Sequence, residues 1–168
     1  MRAIVAFLAC VFAVALPASA VDLATNAVVD IVLGITITQT TSLNFGVLVL
    51  DNGVVTVSPV DGTYTDADNL IFDATDINQG VFDVATNPGV DITVICTAGA
   101  LPPGLIMGSF TADWANGGAP GPVPRPRTTA AATEVLEIGA SLAIDRTVAT
   151  PTGGTPALLP YTVSVTFQ

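Results

Sequence analysis

A chain of 168 residues with 14 acidic and four basic side chains carries a formal charge of −10. That balance excludes phosphate-backbone binding as a main function, because such affinity comes from Lys and Arg. The chain has neither histidine nor lysine, which removes the usual general base near neutral pH, every Ser-His or Cys-His pair, Schiff-base chemistry and P-loop phosphate binding.

With 51% apolar and only 11% charged residues, the chain is able to bury a core and is unlike a disordered segment. At its start, Arg2, the apolar run Ala3–Leu16 and the small-residue site Ala18-Ser19-Ala20 read as a secretory signal peptide, Met1–Ala20. The run is too short for a membrane span, which needs roughly 20 apolar residues. Cleavage after Ala20 leaves residues 21–168, the size of one domain.

From Val21 to Ile37 the odd positions are almost all apolar (Val21, Leu23, Ala27, Val29, Ile31, Leu33, Ile35, Ile37). This is the period-2 pattern of a half-buried strand, yet strands usually run about 3–10 residues. Either Gly34 bends the segment into two strands of one domain, or its first half pairs elsewhere. The second option makes Val21–Leu33 an N-terminal extension and candidate donor strand, with Leu23, Val29, Ile31 and Leu33 as its anchors. Residues 34–168 then form the folded domain.

Further along, β-prone runs alternate with turn clusters. Leu43–Val49 leads to Asp51-Asn52-Gly53, a hairpin-type turn, and Val54–Ser58 stops at Pro59. After an Asp-rich segment, Asp61 to Asn69, come Leu70–Phe72 and Val81–Ala85. Asn87-Pro88-Gly89 reads as a second hairpin turn into Val90–Cys96. Leu105–Ala112 adds a strand ending near Trp114, and Val135–Ile144 adds one or two, with Gly139 as a bulge or bend. The sequence ends on Tyr161–Gln168, with odd positions apolar and even positions polar. Eight to ten strands at roughly ten-residue spacing, and no helix-period segment after the leader, predict an all-β chain folded as a β-sandwich. Its expected inward residues are Phe45, Val47, Val55, Val57, Phe82, Val84, Ile92, Val94, Val163, Val165 and Phe167.

Asn116 to Pro126 is Gly- and Pro-rich and reads as a loop of polyproline II character. Its Arg125-Pro126-Arg127 carries two positive charges to meet acidic surface on the same or a neighbouring molecule. Removal of Cys10 with the leader leaves Cys96 alone, so no intramolecular disulfide forms. Cys96 reads as a small buried hydrophobe, with an intermolecular disulfide as the alternative.

Twelve of the 14 acids are Asp, a turn-forming residue. Glycosidase chemistry needs only a carboxylate pair, but no pair is marked out, and Glu134 and Glu137 sit at the edge of the predicted loop. The sequence therefore points to no enzyme and no cofactor. Asp66, Asp68 and Asp73 are the candidate calcium ligands; without an ordered twelve-residue ligand loop, the competing account is a solvated, turn-forming acidic loop.

Several pieces in order resemble a family of small exported bacterial β-domains of unassigned function, similar to fimbrial subunits. They are Leu43-Asn44-Phe45-Gly46, Gly53–Pro59, Gly80–Val84, Ile138–Leu142 and Tyr161–Gln168. The last of these, with Tyr161, Val163, Val165 and Phe167 as a C-terminal core strand, is similar to the end of chaperone–usher pilins, although the usual cysteine pair is missing. The resemblance implies an immunoglobulin-like fold and surface assembly.

The expected function is a structural subunit of an extracellular fibre or pilus assembled by strand donation, serving adhesion or biofilm architecture. Its expected partners are copies of itself, with a periplasmic chaperone or outer-membrane assembly factor. The expected location is the cell surface or exterior of a bacterium, reached through the periplasm, with no membrane span after cleavage. The alternative is a monomeric exported binding module or adhesin, with or without calcium, using loops Asp61–Asn69 and Asn116–Arg127.

Overall fold

A computed structural model describes residues 34–115, 119–152 and 156–168. The expected leader Met1–Ala20 and extension Val21–Leu33, with anchors Leu23, Val29, Ile31 and Leu33, lie outside the described residues. Every regular element described is a β-strand, and all pairings are antiparallel.

The organising strand is β11 (Thr133–Ile144), buried at every second position through Glu134, Leu136, Ile138, Ala140, Leu142 and Ile144. Along one edge it pairs with β8 (Leu105–Trp114). Along the other it pairs first with β6 (Gly80–Ala85) and then with β3 (Gly53–Val57). The switch falls at Gly139, between the Ile138–Gly80 and Ala140–Val57 pairs. A Cβ there would collide with the Val57 carbonyl and sit 2.7 Å from the Pro59 nitrogen. Glycine is thus what lets the end of β3 close onto β11, and the same position carries the register slip against β8. β1 (Thr36–Thr41) extends this sheet beside β6, β4 (Tyr64–Asp66) beside β3, and β9 (Gly121–Pro122) beside β8.

A second sheet runs β10 (Arg125–Thr128), β7 (Asp91–Ala98), β12 (Tyr161–Phe167). A two-stranded ribbon joins β2 (Val47–Leu48) to β5 (Ile71–Asp73). Side chains from both larger sheets meet in one core. Val55, Val57, Val84, Trp114, Leu136 and Ile138 come from the first, Ile92 and Val94 from the second, and all are 0–1% exposed. Burying each such aliphatic side chain contributes roughly 1.5–3 kcal/mol.

Four sequence expectations need correction. Asn87-Pro88-Gly89 is not a hairpin, because β6 and β7 belong to different sheets; it carries the chain across the core, with Gly89 at φ 77. Asp51-Asn52-Gly53 likewise joins β2 to β3 without pairing them. Instead Asn52 Oδ1 accepts the Arg146 backbone N–H at 2.9 Å. Val47 points outward, 54% exposed, since left-handed Gly46 (φ 76) and the slip between Val47 and Leu48 reverse the alternation after Phe45. The Gly/Pro-rich stretch holds β9 and β10 rather than only loop. Proline is tolerated in β10 because that strand lies at a sheet edge.

Candidate functional site

The edges of the sheets differ in how they are guarded. An unpaired strand edge is a template for another chain, and proteins blunt it with shortness, Pro, charge or bulges. β1 has a register slip between Gln39 and Thr41. β4 and β5 are three residues long, and β2 and β9 two. β10 carries Pro126 between two arginines, and the uncovered start of β8 is kinked at Ser109, φ 47. β12 has none of these devices. Its seven residues, Tyr161–Phe167, contain no Pro, no charge and no slip. They pair with β7 on one side, and no described strand pairs on the other.

The inner face of β12 reflects the missing neighbour. Tyr161, Val163 and Val165 pack on the core but stay half-buried. Phe167, expected inside, is 48% exposed, because nothing described lies beyond this edge to cover its ring. Tyr161 anchors the strand: it stacks on Phe110 at 5.9 Å and meets Phe82 edge-on at 6.4 Å. Burial pushes its phenol up to about 12, with the Leu43 backbone pulling weakly the other way. A side chain at Gly80 would approach its oxygen to 2.6 Å, so glycine in β6 makes room for the ring.

From Tyr161 a groove of about 1200 Å³ runs between residues 39–50 on one side and residues 149–152 and 156–160 on the other, floored by Leu105, Leu142 and Ile144. Val47, Val49, Leu50 and Leu158 present exposed aliphatic side chains into it, Leu158 at 85%. This groove is illegible in the sequence, because its walls come from distant parts of the chain.

The candidate calcium ligands each accept hydrogen bonds from the protein itself. Asp66 accepts the Leu70 and Ile71 backbone N–H groups at 2.9 and 2.8 Å. Asp68 accepts the Val54 N–H at 3.0 Å. Asp73 Oδ1 accepts both the backbone N–H and the hydroxyl of Thr75, and Asp61–Thr63 and Asp145–Thr147 repeat that pattern. Among the described residues no group of three or more His, Cys, Asp or Glu side chains is placed to hold a metal ion.

The arginines of the Pro-rich stretch find partners inside the molecule. Arg127 Nε donates to Glu134 at 3.0 Å, and its guanidinium lies 5.7 Å from the Trp114 ring centroid. Glu134, 1% exposed, also accepts the Ala130 and Ala131 N–H groups. Arg125 donates to the Ala119 carbonyl. Cys96 faces Val163 within the second sheet, and burial pushes its thiol up to about 11.

No protein-family model, curated protein or solved structure matches this chain. No helix among the described residues is long and apolar enough to cross a membrane.

Proposed function

We propose that this chain is a structural subunit of an extracellular fibre or pilus, each subunit adding its Val21–Leu33 segment as a strand to the next. The carrying observation is the seven-residue, unguarded edge of β12, continuous with an apolar groove. Strand addition at such an edge supplies affinity through main-chain hydrogen bonds and specificity through pockets for alternate side chains. An alternating segment offers what the edge lacks: Leu23, Val29, Ile31 and Leu33 on one face, to cover half-buried positions of the recipient. In this reading the fold is an immunoglobulin-like β-sandwich lacking one strand. Met1–Ala20 is removed on export, and the product serves adhesion or biofilm architecture at the surface of a bacterium. A periplasmic chaperone or outer-membrane factor would shield the open edge before assembly.

The test is the double variant Val29→Asp, Ile31→Asp, expressed for secretion and examined by electron microscopy and circular dichroism. Charges on a face that becomes buried without partners are prohibitively costly, so fibres should vanish while the β signal of the folded domain stays. Outright unfolding would make the segment an ordinary core strand, and unchanged fibres would rule out donation by it. The groove also favours a second reading, a monomeric binding module holding an apolar ligand there. Size-exclusion chromatography of the secreted protein separates the two, since that module elutes as a monomer.

A further inference from the structure

Neighbouring strands of the larger sheet bring two acids face to face. Glu137 of β11 and Asp113 of β8 are register partners. Among the described residues no other strand pairing sets one acid against another. Both side chains point away from the core, since Leu136, Ile138, Ala112 and Trp114, which flank them, are buried on the inner face. Directly opposed positions have Cβ atoms about 4.5–5.5 Å apart, and like charges there are destabilising. Asp113 is nonetheless only 7% exposed, and its buried Oδ1 accepts no hydrogen bond. Glu137 is part-buried and receives one long bond, 3.4 Å, from the Gln79 amide. Asp83 lies on the same face one row along, opposite Val135. Neither Asp113 nor Glu137 has a basic partner among the described residues. The chain has no lysine or histidine; Arg127 pairs with Glu134, Arg146 with Asp51, and Arg125 donates to the Ala119 carbonyl.

We propose that Asp113 and Glu137 hold a calcium ion between β8 and β11. A buried carboxylate is ordinarily paired with a cation or coordinates a metal, and here the balancing charge comes from outside the chain. The donor set is all oxygen, which suits a hard ion, and two carboxylates match its double charge. Their spacing is fixed by the strand register. Calcium accepts irregular geometry at about 2.3–2.6 Å, whereas magnesium demands a near-ideal octahedron. Backbone carbonyls and water complete its roughly 6–8 oxygens, so the affinity is weak, on the order of 10⁻⁴–10⁻³ M. Asp83 adds negative field from the next row rather than a ligand. The site is separate from Asp66, Asp68 and Asp73, and it stands whether or not strands are donated.

The experiment is chemical denaturation of the full secreted chain in chelator, in calcium and in magnesium, all at one ionic strength. At about 10 mM, calcium should raise the folding equilibrium constant about 10- to 100-fold, and magnesium should raise it less. Asp113→Asn and Glu137→Gln, which keep the side-chain shapes, should each abolish the calcium gain. Asp68→Asn, in the acidic loop, should keep it. Terbium, a hard ion that stands in for calcium, gives a local readout on the unaltered chain. Trp114 is the chain's one tryptophan and adjoins Asp113, so exciting it should light bound terbium. Calcium should then displace the terbium and quench that emission. Absence of a calcium gain, a gain equal to that from magnesium, or terbium emission indifferent to calcium would each overturn the proposal. So would a gain that survives Asp113→Asn and Glu137→Gln, or one lost in Asp68→Asn.

Discussion

Cys96 and Phe167 sit on neighbouring strands of one sheet and illustrate how an uncovered edge grades burial. The Cys96 thiol is raised by burial from 9.0 to about 11, and the thiolate is the reactive form. At pH 8 the folded protein should react with iodoacetamide about 100-fold more slowly than the denatured chain, the ratio set by two pH units of thiolate population. Equal rates would show a thiol open to solvent. Phe167 is half out of the core, so Phe167→Ala should cost about 1–2 kcal/mol in a denaturant melt, below the roughly 3–5 kcal/mol of a fully buried ring. A larger loss would mean that the ring is covered in solution, as a strand added beside β12 would cover it. Tyr161, at the other end of the strand, holds its proton in the folded state to about pH 12, whereas the unfolded chain releases it near 10. Its contribution is full below pH 10 and is lost as pH rises from 10 to 12, so the melting temperature should fall across that window. Tyr161→Phe should flatten the fall.

At the scale of elements, Glu134 is the clasp between β10, the turn before β11, and β11 itself. Its carboxylate takes two backbone N–H groups and the Arg127 guanidinium while 1% exposed. Glu134→Ala leaves Arg127 beside Trp114 without that carboxylate, and breaking such a buried pair typically costs about 3–5 kcal/mol. Chemical denaturation should show that loss; a change below about 1 kcal/mol would mean that water replaces the carboxylate freely. That these arginines meet an acidic group was legible in Arg125-Pro126-Arg127, but their place on a strand was not, because proline is rare in strands and only the edge position of β10 admits it. The strands β3, β6, β7, β11 and β12 were legible, since each has one buried face that imposes a period of two. Their pairing was not. Asn87-Pro88-Gly89 specifies a reversal of the backbone, but nothing in those residues says whether the chain re-enters the same sheet or crosses to the other. Gly46 hides a similar switch: one left-handed residue turns Val47 out and Leu48 in. The groove combines both difficulties, for its walls are residues 39–50 on one side and residues 149–152 and 156–160 on the other, and periodicity carries no information between them.

For the whole molecule, the question is how so acidic a chain holds its loops. Self-repulsion at net charge −10 disfavours the compact state at neutral pH, and protonation relieves it. Hydrogen bonding acts in the opposite sense. The side chain and backbone of Thr63, Thr75 and Thr147 hold Asp61, Asp73 and Asp145 below the usual carboxylate value, against slight desolvation. Asp51 is lowered by the Asn52 N–H and by Arg146. For Asp66 desolvation is the largest single influence and raises the pKa, but the amides of Leu70, Ile71, Asp68 and Asn69 together outweigh it. A carboxylate with a depressed folded pKa contributes stability above its unfolded value, here 3.8, and loses it as pH falls through the folded value. The two effects separate by salt, since repulsion between exposed charges is screened over about 8–10 Å while hydrogen bonds at 2.5–3.1 Å are not. Thermal melts should therefore show stability falling below pH 3.8 at both low and high ionic strength, while salt raises the melting temperature at pH 7. Asp61→Asn, Asp73→Asn and Asp145→Asn together should shrink the acid loss and lower the neutral plateau. Stability that fails to fall below pH 3.8 at high ionic strength, where repulsion is screened, would make the Asp–Thr turns bystanders to the fold.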